Sequence, residues 1–231
     1  MTHQNLRLAA VLLSVGYLAV AAKPAFAASG PKWDGLYLGG SIGINGVTAT
    51  ETDTTTPPGS SVSFSGGPGW GPAGSVTLGY DTHLAPNVLA GVFSVLDITN
   101  ASASLTSPGG DANRLQENFA LSAGARLGAL ADRNTLLYVD GGYSLAGFTF
   151  TYDTAMLDSY SNGHMFQGWF AGVGLEHKIT DALGLSLDYR FARYGSQAVG
   201  FFVPPAPAVE THEIQPDVQS IRVGVVYNFG N

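Results

Sequence analysis

The chain has 231 residues, enough for one medium domain, with a formal charge of −7 and a charged fraction of only 12%, where soluble domains carry about 25%. Its hydrophobic fraction is 45%, yet there is a single long apolar run, which excludes a helical membrane protein with its roughly 20 apolar residues per span. The acidic balance argues against a nucleic-acid partner, which selects a basic surface, and the absence of cysteine removes disulfides and thiolate chemistry.

The first element reads as a leader rather than as part of the fold. Arg7 supplies a positive start, Leu8 to Ala22 is apolar, and Ala25-Phe26-Ala27 offers a small-x-small cleavage site. Residues 1–27 are therefore expected to be a signal peptide cut after Ala27, and residues 28–231 a single barrel domain.

Eight segments of alternating polarity follow. Residues two apart on a strand share a face, so in 35–47 Leu36, Leu38, Ile42 and Ile44 oppose Tyr37, Ser41 and Asn45. In 70–81, Val76, Leu78 and Tyr80 oppose Ser75, Thr77 and Asp81; 87–99 is the third segment. In 116–128, Leu121, Ala123, Ala125 and Leu127 oppose Ser122, Gly124 and Arg126. In 135–150, Leu137, Val139 and Tyr143 oppose Tyr138, Asp140 and Ser144. In 164–179, Trp169, Ala171, Val173 and Leu175 oppose Gly172, Gly174 and Glu176. In 183–194, Leu185, Leu187, Tyr189 and Phe191 oppose Ser186, Asp188 and Arg190. In 218–229, Ile221, Val223, Val225 and Tyr227 oppose Ser220, Arg222 and Gly224.

The connections alternate in length. Those at 48–69, 100–115, 151–163 and 196–217 are long and rich in Thr, Ser, Gly or Pro, and are expected to be loops; those at 82–86, 129–134 and 180–182 are short. Long loops on one side and tight turns on the other mark outer-membrane barrels. A soluble antiparallel barrel would alternate in the same way. The leader, the aromatics on the apolar faces and the scarcity of lysine in the strands favour a bilayer, where a closed barrel satisfies every backbone group. The expected fold is all-β, an eight-stranded antiparallel up-and-down transmembrane β-barrel in the cell outer membrane.

Several stretches stand out in order along the chain: Trp33-Asp34-Gly35-Leu36-Tyr37-Leu38-Gly39-Gly40, Arg126-Leu127-Gly128, Leu136-Leu137-Tyr138-Val139-Asp140-Gly141-Gly142, Gly168-Trp169, Gly172-Val173-Gly174-Leu175-Glu176, Leu187-Asp188-Tyr189 and Val223-Gly224-Val225-Val226-Tyr227-Asn228-Phe229. Together they resemble the small porin-family, or outer-membrane immunogenic, β-barrels of the OmpA-like transmembrane class. The resemblance runs from Trp33 to Phe229. It implies partners in outer-membrane lipids and the barrel-assembly machinery, and it carries the label of a pore. Phe93 and Val95 stand where the family usually has acidic residues, and Gly124 stands in place of a second arginine.

The inward positions collect Asp97, Arg126, Asp140, Glu176, Asp188, Arg190 and Arg222. Charges inside a barrel must pair, because an isolated buried charge is very costly. They form either a polar path or a plug of ion pairs; an eight-stranded interior is just wide enough to be filled by side chains, which favours the plug. Arg222 is expected to pair with a lumen carboxylate such as Asp140, Glu176 or Asp188. His83, His164, His177 and His212 lack the spacing or Cys partners of a zinc site, and no His-x-Ser occurs, so no catalytic, metal or cofactor site is assigned and an enzyme is not expected. The Gly-rich run 66–72 lacks the Lys-Ser/Thr of a phosphate loop, and the Pro-rich run 203–207 reads as a stiff external loop. The leading expectation is a structural, surface-interaction protein of the envelope whose long loops meet an extracellular or envelope partner; a low-conductance porin for small solutes is the alternative.

Overall fold

Period-two alternation carries each of the eight segments into a strand. The computed structural model describes residues 33–56, 60–106, 112–154, 157–200 and 209–230. The expected leader and its cleavage point lie outside the described residues, as does the Pro-rich run 203–207. The strands are β1 (Gly35–Thr56), β2 (Ser60–Ala85), β3 (Val88–Thr99), β4 (Ser102–Thr106), β5 (Ala112–Leu130), β6 (Thr135–Thr154), β7 (Leu157–Lys178), β8 (Leu183–Tyr194), β9 (Gln197–Gly200) and β10 (Val209–Asn228). Eight of them form an antiparallel ring in the order β1-β2-β3-β5-β6-β7-β8-β10, closed by pairing of β10 with β1. The short strands β4 and β9 pair with β5 and β10 respectively.

The long connections differ from expectation. Most of 48–69 is a continuation of β1 and β2, paired as far as Thr55 with Ser60. Much of 151–163 extends β6 and β7, and much of 196–217 is β9 and β10. Thr and Ser there signalled loops, but β-branched Thr is a strand former. These segments do alternate, with the polarity reversed.

That reversal divides the molecule into two zones. Near the short turns, Leu36, Leu38, Ile42 and Ile44 point outward while Tyr37 and Asn45 are buried inside. The outward run from Leu36 to Ile44 fits the roughly 9–11 residues that carry a strand across hydrocarbon. Trp70 then lies against Gly46, where an added Cβ would sit 3.0 Å from the indole. Beyond this point Thr50 and Thr54 are outward, and the Thr50–Ser65 and Thr52–Ser63 hydroxyls bond across the outer surface. Val47, Ala49, Leu115, Phe148, Phe150, Phe166 and Ile214 fill the interior. An apolar exterior suits lipid, and a polar exterior over an apolar core suits water.

The extended zone is also no longer a closed ring. Pairing of β2 with β3 stops at Ala73–Thr99, and that of β7 with β8 at Gly168–Tyr194. The strands continue as two facing sheets, β9-β10-β1-β2 and β4-β5-β6-β7. At one seam β4 presses on β2: a Cβ at Gly69 would lie 1.4 Å from the Ser102 carbonyl oxygen, so only glycine fits there.

Candidate functional site

The ring turns one face of every strand into a common lumen, and side chains from non-adjacent strands meet there. Asp97 lies on β3, Arg126 on β5, Asp140 on β6, Glu176 on β7, Asp188 and Arg190 on β8, and Arg222 on β10; all seven face inward. The structure draws them into separate groups rather than one network.

Arg126 anchors the group nearest the short turns. Its Nε donates to Asp81 Oδ1 at 2.9 Å and its Nη2 to Asp81 Oδ2, while Nη1 reaches Glu176 Oε2 at 3.4 Å. Its guanidinium lies between two rings, 4.3 Å from the Tyr37 centroid and 5.1 Å from that of Tyr138. The Tyr138 hydroxyl donates to Asp188. Arg190 repeats the arrangement a layer further in. Its Nη2 donates to Asp140 Oδ2 at 2.9 Å, and its guanidinium lies 4.4 Å from Phe170 and 5.4 Å from Phe93. A cation held over an aromatic face in a desolvated site gains about 2 kcal/mol. Phe93 thus serves Arg190 as a ring wall rather than as a charge.

Arg222 pairs with a lumen carboxylate, but not with any of the three named for it. Its register partners are Asp188 on β8 and Gly43 on β1, yet Nη1 stands 3.0 Å from Asp97 Oδ1. Asp188 is occupied by Tyr138, Asp140 by Arg190 and Glu176 by Arg126. Gly43 lets β1 and β10 approach closely beside Arg222, since a Cβ there would lie 2.0 Å from the Ile221 carbonyl oxygen and 3.0 Å from Arg222 Cγ.

Other lumen groups were missed. Asp81 stood on the polar face of its segment, which was signal enough to include it beside Arg126. Glu117 is inward only because a bulge between Glu117 and Phe119 shifts the register; strict alternation from Leu121 places it outside. Its Oε2 accepts from Asn45 Nδ2 at 3.1 Å, and Glu51 accepts from Asn113 Nδ2 at 3.3 Å. Trp33, fully buried, stops the short-turn mouth: its Nε1 donates to the Arg133 carbonyl at 3.2 Å and the Lys178 ammonium lies 4.2 Å from its ring. Next to it, Asp34 accepts from the His83 backbone N–H at 2.6 Å and pairs with the His83 ring Nδ1 at 2.6 Å.

A family model described as "Outer membrane protein beta-barrel domain" matches residues 10–229. The 25 kDa outer-membrane immunogenic protein of Brucella ovis is 30% identical over 131 residues, 56% of this chain and 53% of that protein. Its counterpart in Brucella abortus is 39% identical over 62 residues, 27% of this chain and 26% of that protein. The chain spans about a quarter to about half the length of these curated relatives. Among solved structures, the outer membrane protease OmpT from Escherichia coli aligns with a TM-score of 0.54 at 11% identity, covering 90% of this chain and 99% of that one. OprG from Pseudomonas aeruginosa aligns with a TM-score of 0.50 at 11% identity, covering 87% and 99%. At such identities the likeness is one of fold.

Proposed function

The chain belongs to the outer membrane protein β-barrel family and resides in the cell outer membrane, and from that premise we propose that its barrel anchors a two-sheet platform displayed to the exterior for surface interaction. The observation that carries this reading is the polarity reversal beyond Gly46 and Trp70. The extended zone has the polar outside and packed apolar inside of a water-soluble domain, and it stands on a lipid-facing ring. Long elements of such barrels face outward and tight turns face the periplasm. Outer-membrane lipids contact the band from Leu36 to Ile44, the barrel-assembly machinery inserts the chain, and an extracellular or envelope partner meets the platform; nucleic acid is not a partner.

We read the protein as non-catalytic. The lumen carboxylates of Asp81, Asp97, Asp140, Glu176 and Asp188 are directed at arginines or at a tyrosine inside the barrel, not at an open cleft. No specific observation favours the pore alternative.

Orientation is tested by labelling intact cells with a membrane-impermeant maleimide. Thr50→Cys should react directly, and Asp132→Cys, in a short turn, only after the outer membrane is opened. The reverse pattern overturns the proposal.

A further inference from the structure

We propose that Asn162-Gly163, on the open edge of β7, is a site of spontaneous deamidation, while the fold holds a second Asn-Gly pair, Asn45-Gly46, inert. The sequence carries both pairs. In such a pair the glycine backbone nitrogen, once its proton is lost to hydroxide, attacks the asparagine Cγ. An N–Cγ bond forms, the side-chain nitrogen leaves as ammonia, and a cyclic succinimide results. Water then opens the ring at either carbonyl and leaves aspartate or isoaspartate. The reaction needs a carboxamide free to turn, a following residue without a Cβ to hinder the attack, and a backbone N–H that no neighbour holds.

Asn162-Gly163 meets all three. Both residues are exposed. Pairing of β7 with β8 ends at Gly168–Tyr194, and beyond it the Gln167 carbonyl accepts from the Gly195 N–H at 2.8 Å. The Met165 carbonyl, two residues on, receives only the Gln197 side-chain Nε2 at 2.6 Å. In an antiparallel strand the N–H and C=O of one residue point to the same side, and alternate residues share that side. The Gly163 N–H therefore also points into the seam, where no strand of the described residues pairs with β7. β6 holds the strand through Asn162, opposite Phe150, but leaves the Gly163 N–H unbound. A strand held on one side opens locally at low cost.

Asn45-Gly46 has the same covalent structure and the opposite surroundings. At Asn45, β1 pairs with β2 on one side and β10 on the other. The Asn45 side chain is buried and its Nδ2 donates to Glu117 Oε2 at 3.1 Å. The Trp70 indole covers Gly46.

Deamidation at Asn162 places a carboxylate beside the seam. In the isoaspartyl product the main chain also runs through the side-chain carbon and is one atom longer. Residues 157–161 then fall out of register with the part of β6 they pair with. The inference uses the edge of the two facing sheets and is independent of any partner they meet.

The test is a time course on full-length protein refolded in lipid vesicles and held at mildly alkaline pH. Tandem mass spectrometry after digestion at acid pH reads each asparagine, and isoaspartyl methyltransferase labelling reads the rearranged product. Asn162 should lose its amide, faster as pH rises, while Asn45 stays intact. In denaturant the two pairs should react at similar rates. Gly163→Ala should lose the reaction and keep heat-modifiable mobility, since no described atom lies within 4 Å of an added Cβ there. An intact Asn162 in the folded protein overturns the proposal whether or not that variant folds. Equal loss from Asn45 and Asn162 in the folded barrel overturns the protection assigned to the ring, and an unchanged rate in folded Gly163→Ala overturns the succinimide route.

Discussion

Arg222 on β10 stands 3.0 Å from Asp97 on β3, a buried ion pair that ties together strands separated in the ring by β1 and β2. Removing one partner of such a pair strands the other and costs about 3–5 kcal/mol, whereas removing both charges is far milder. Arg222→Leu should therefore lower the urea midpoint for unfolding from vesicles, read by heat-modifiable gel mobility. Adding Asp97→Asn should recover most of the loss. Strictly additive damage in the double variant would show that the two side chains do not act as a pair.

The two polarity zones predict opposite responses to the same substitution. Val225 points outward on β10 within the lipid-facing band. Val225→Arg should cost about 2–4 kcal/mol if it lies near the midplane. Thr50→Arg, outward on β1 beyond Trp70, meets water and should fold like the parent. Similar folding yields for the two variants in vesicles would remove the boundary drawn at Gly46 and Trp70.

The seam between β4 and β2 depends on a missing side chain. With the Ser102 carbonyl 1.4 Å from where a Gly69 Cβ would stand, Gly69→Ala must push β4 away, an overpacking that costs typically 1–3 kcal/mol. The lipid-facing ring lies below this contact. Protease added to intact cells should then cut near Ser102 faster than in the parent, while the membrane-protected fragment keeps its heat-modifiable mobility. Unchanged cleavage would mean that β4 does not rest on β2.

One turn has a calculable acid response. The Asp132 carboxylate accepts the Asn134 backbone N–H at 2.7 Å and the Thr135 hydroxyl at 2.9 Å. These bonds, the first above all, hold it below the usual carboxylate range. A depressed folded value means that the contribution is present above the unfolded value, near 3.8, and is lost as pH falls through the folded one. Protection of the Asn134 amide from hydrogen exchange should be constant at neutral pH and decline only below that range. Asp132→Ala should abolish the decline; persistence of it would assign the response to another group.

Alternation and the rhythm of the connections are enough to read off the class of fold, the number of ring strands and the face of nearly every residue in the bilayer zone. Alternation is local: once Leu36 and Leu38 face lipid, Tyr37 must face the lumen. For the same reason Asp97, Arg126, Asp140, Glu176, Asp188, Arg190 and Arg222 were legible as an inward set. Their pairing was not, because alternation assigns a face but not how far a long guanidinium reaches across a lumen. Arg222 passes its register neighbour Asp188, already held by Tyr138, and settles on Asp97 two strands beyond β1. The extended sheets were equally hidden. Phe148 to Thr151 alternates as Leu36 to Ile44 does, but outside the bilayer water replaces hydrocarbon on the outer face and the pattern inverts, with the phenylalanines inside and the threonines out. Only the tertiary structure showed where that change of solvent falls, and where the bulge at Glu117 turns a carboxylate from the outside to the inside.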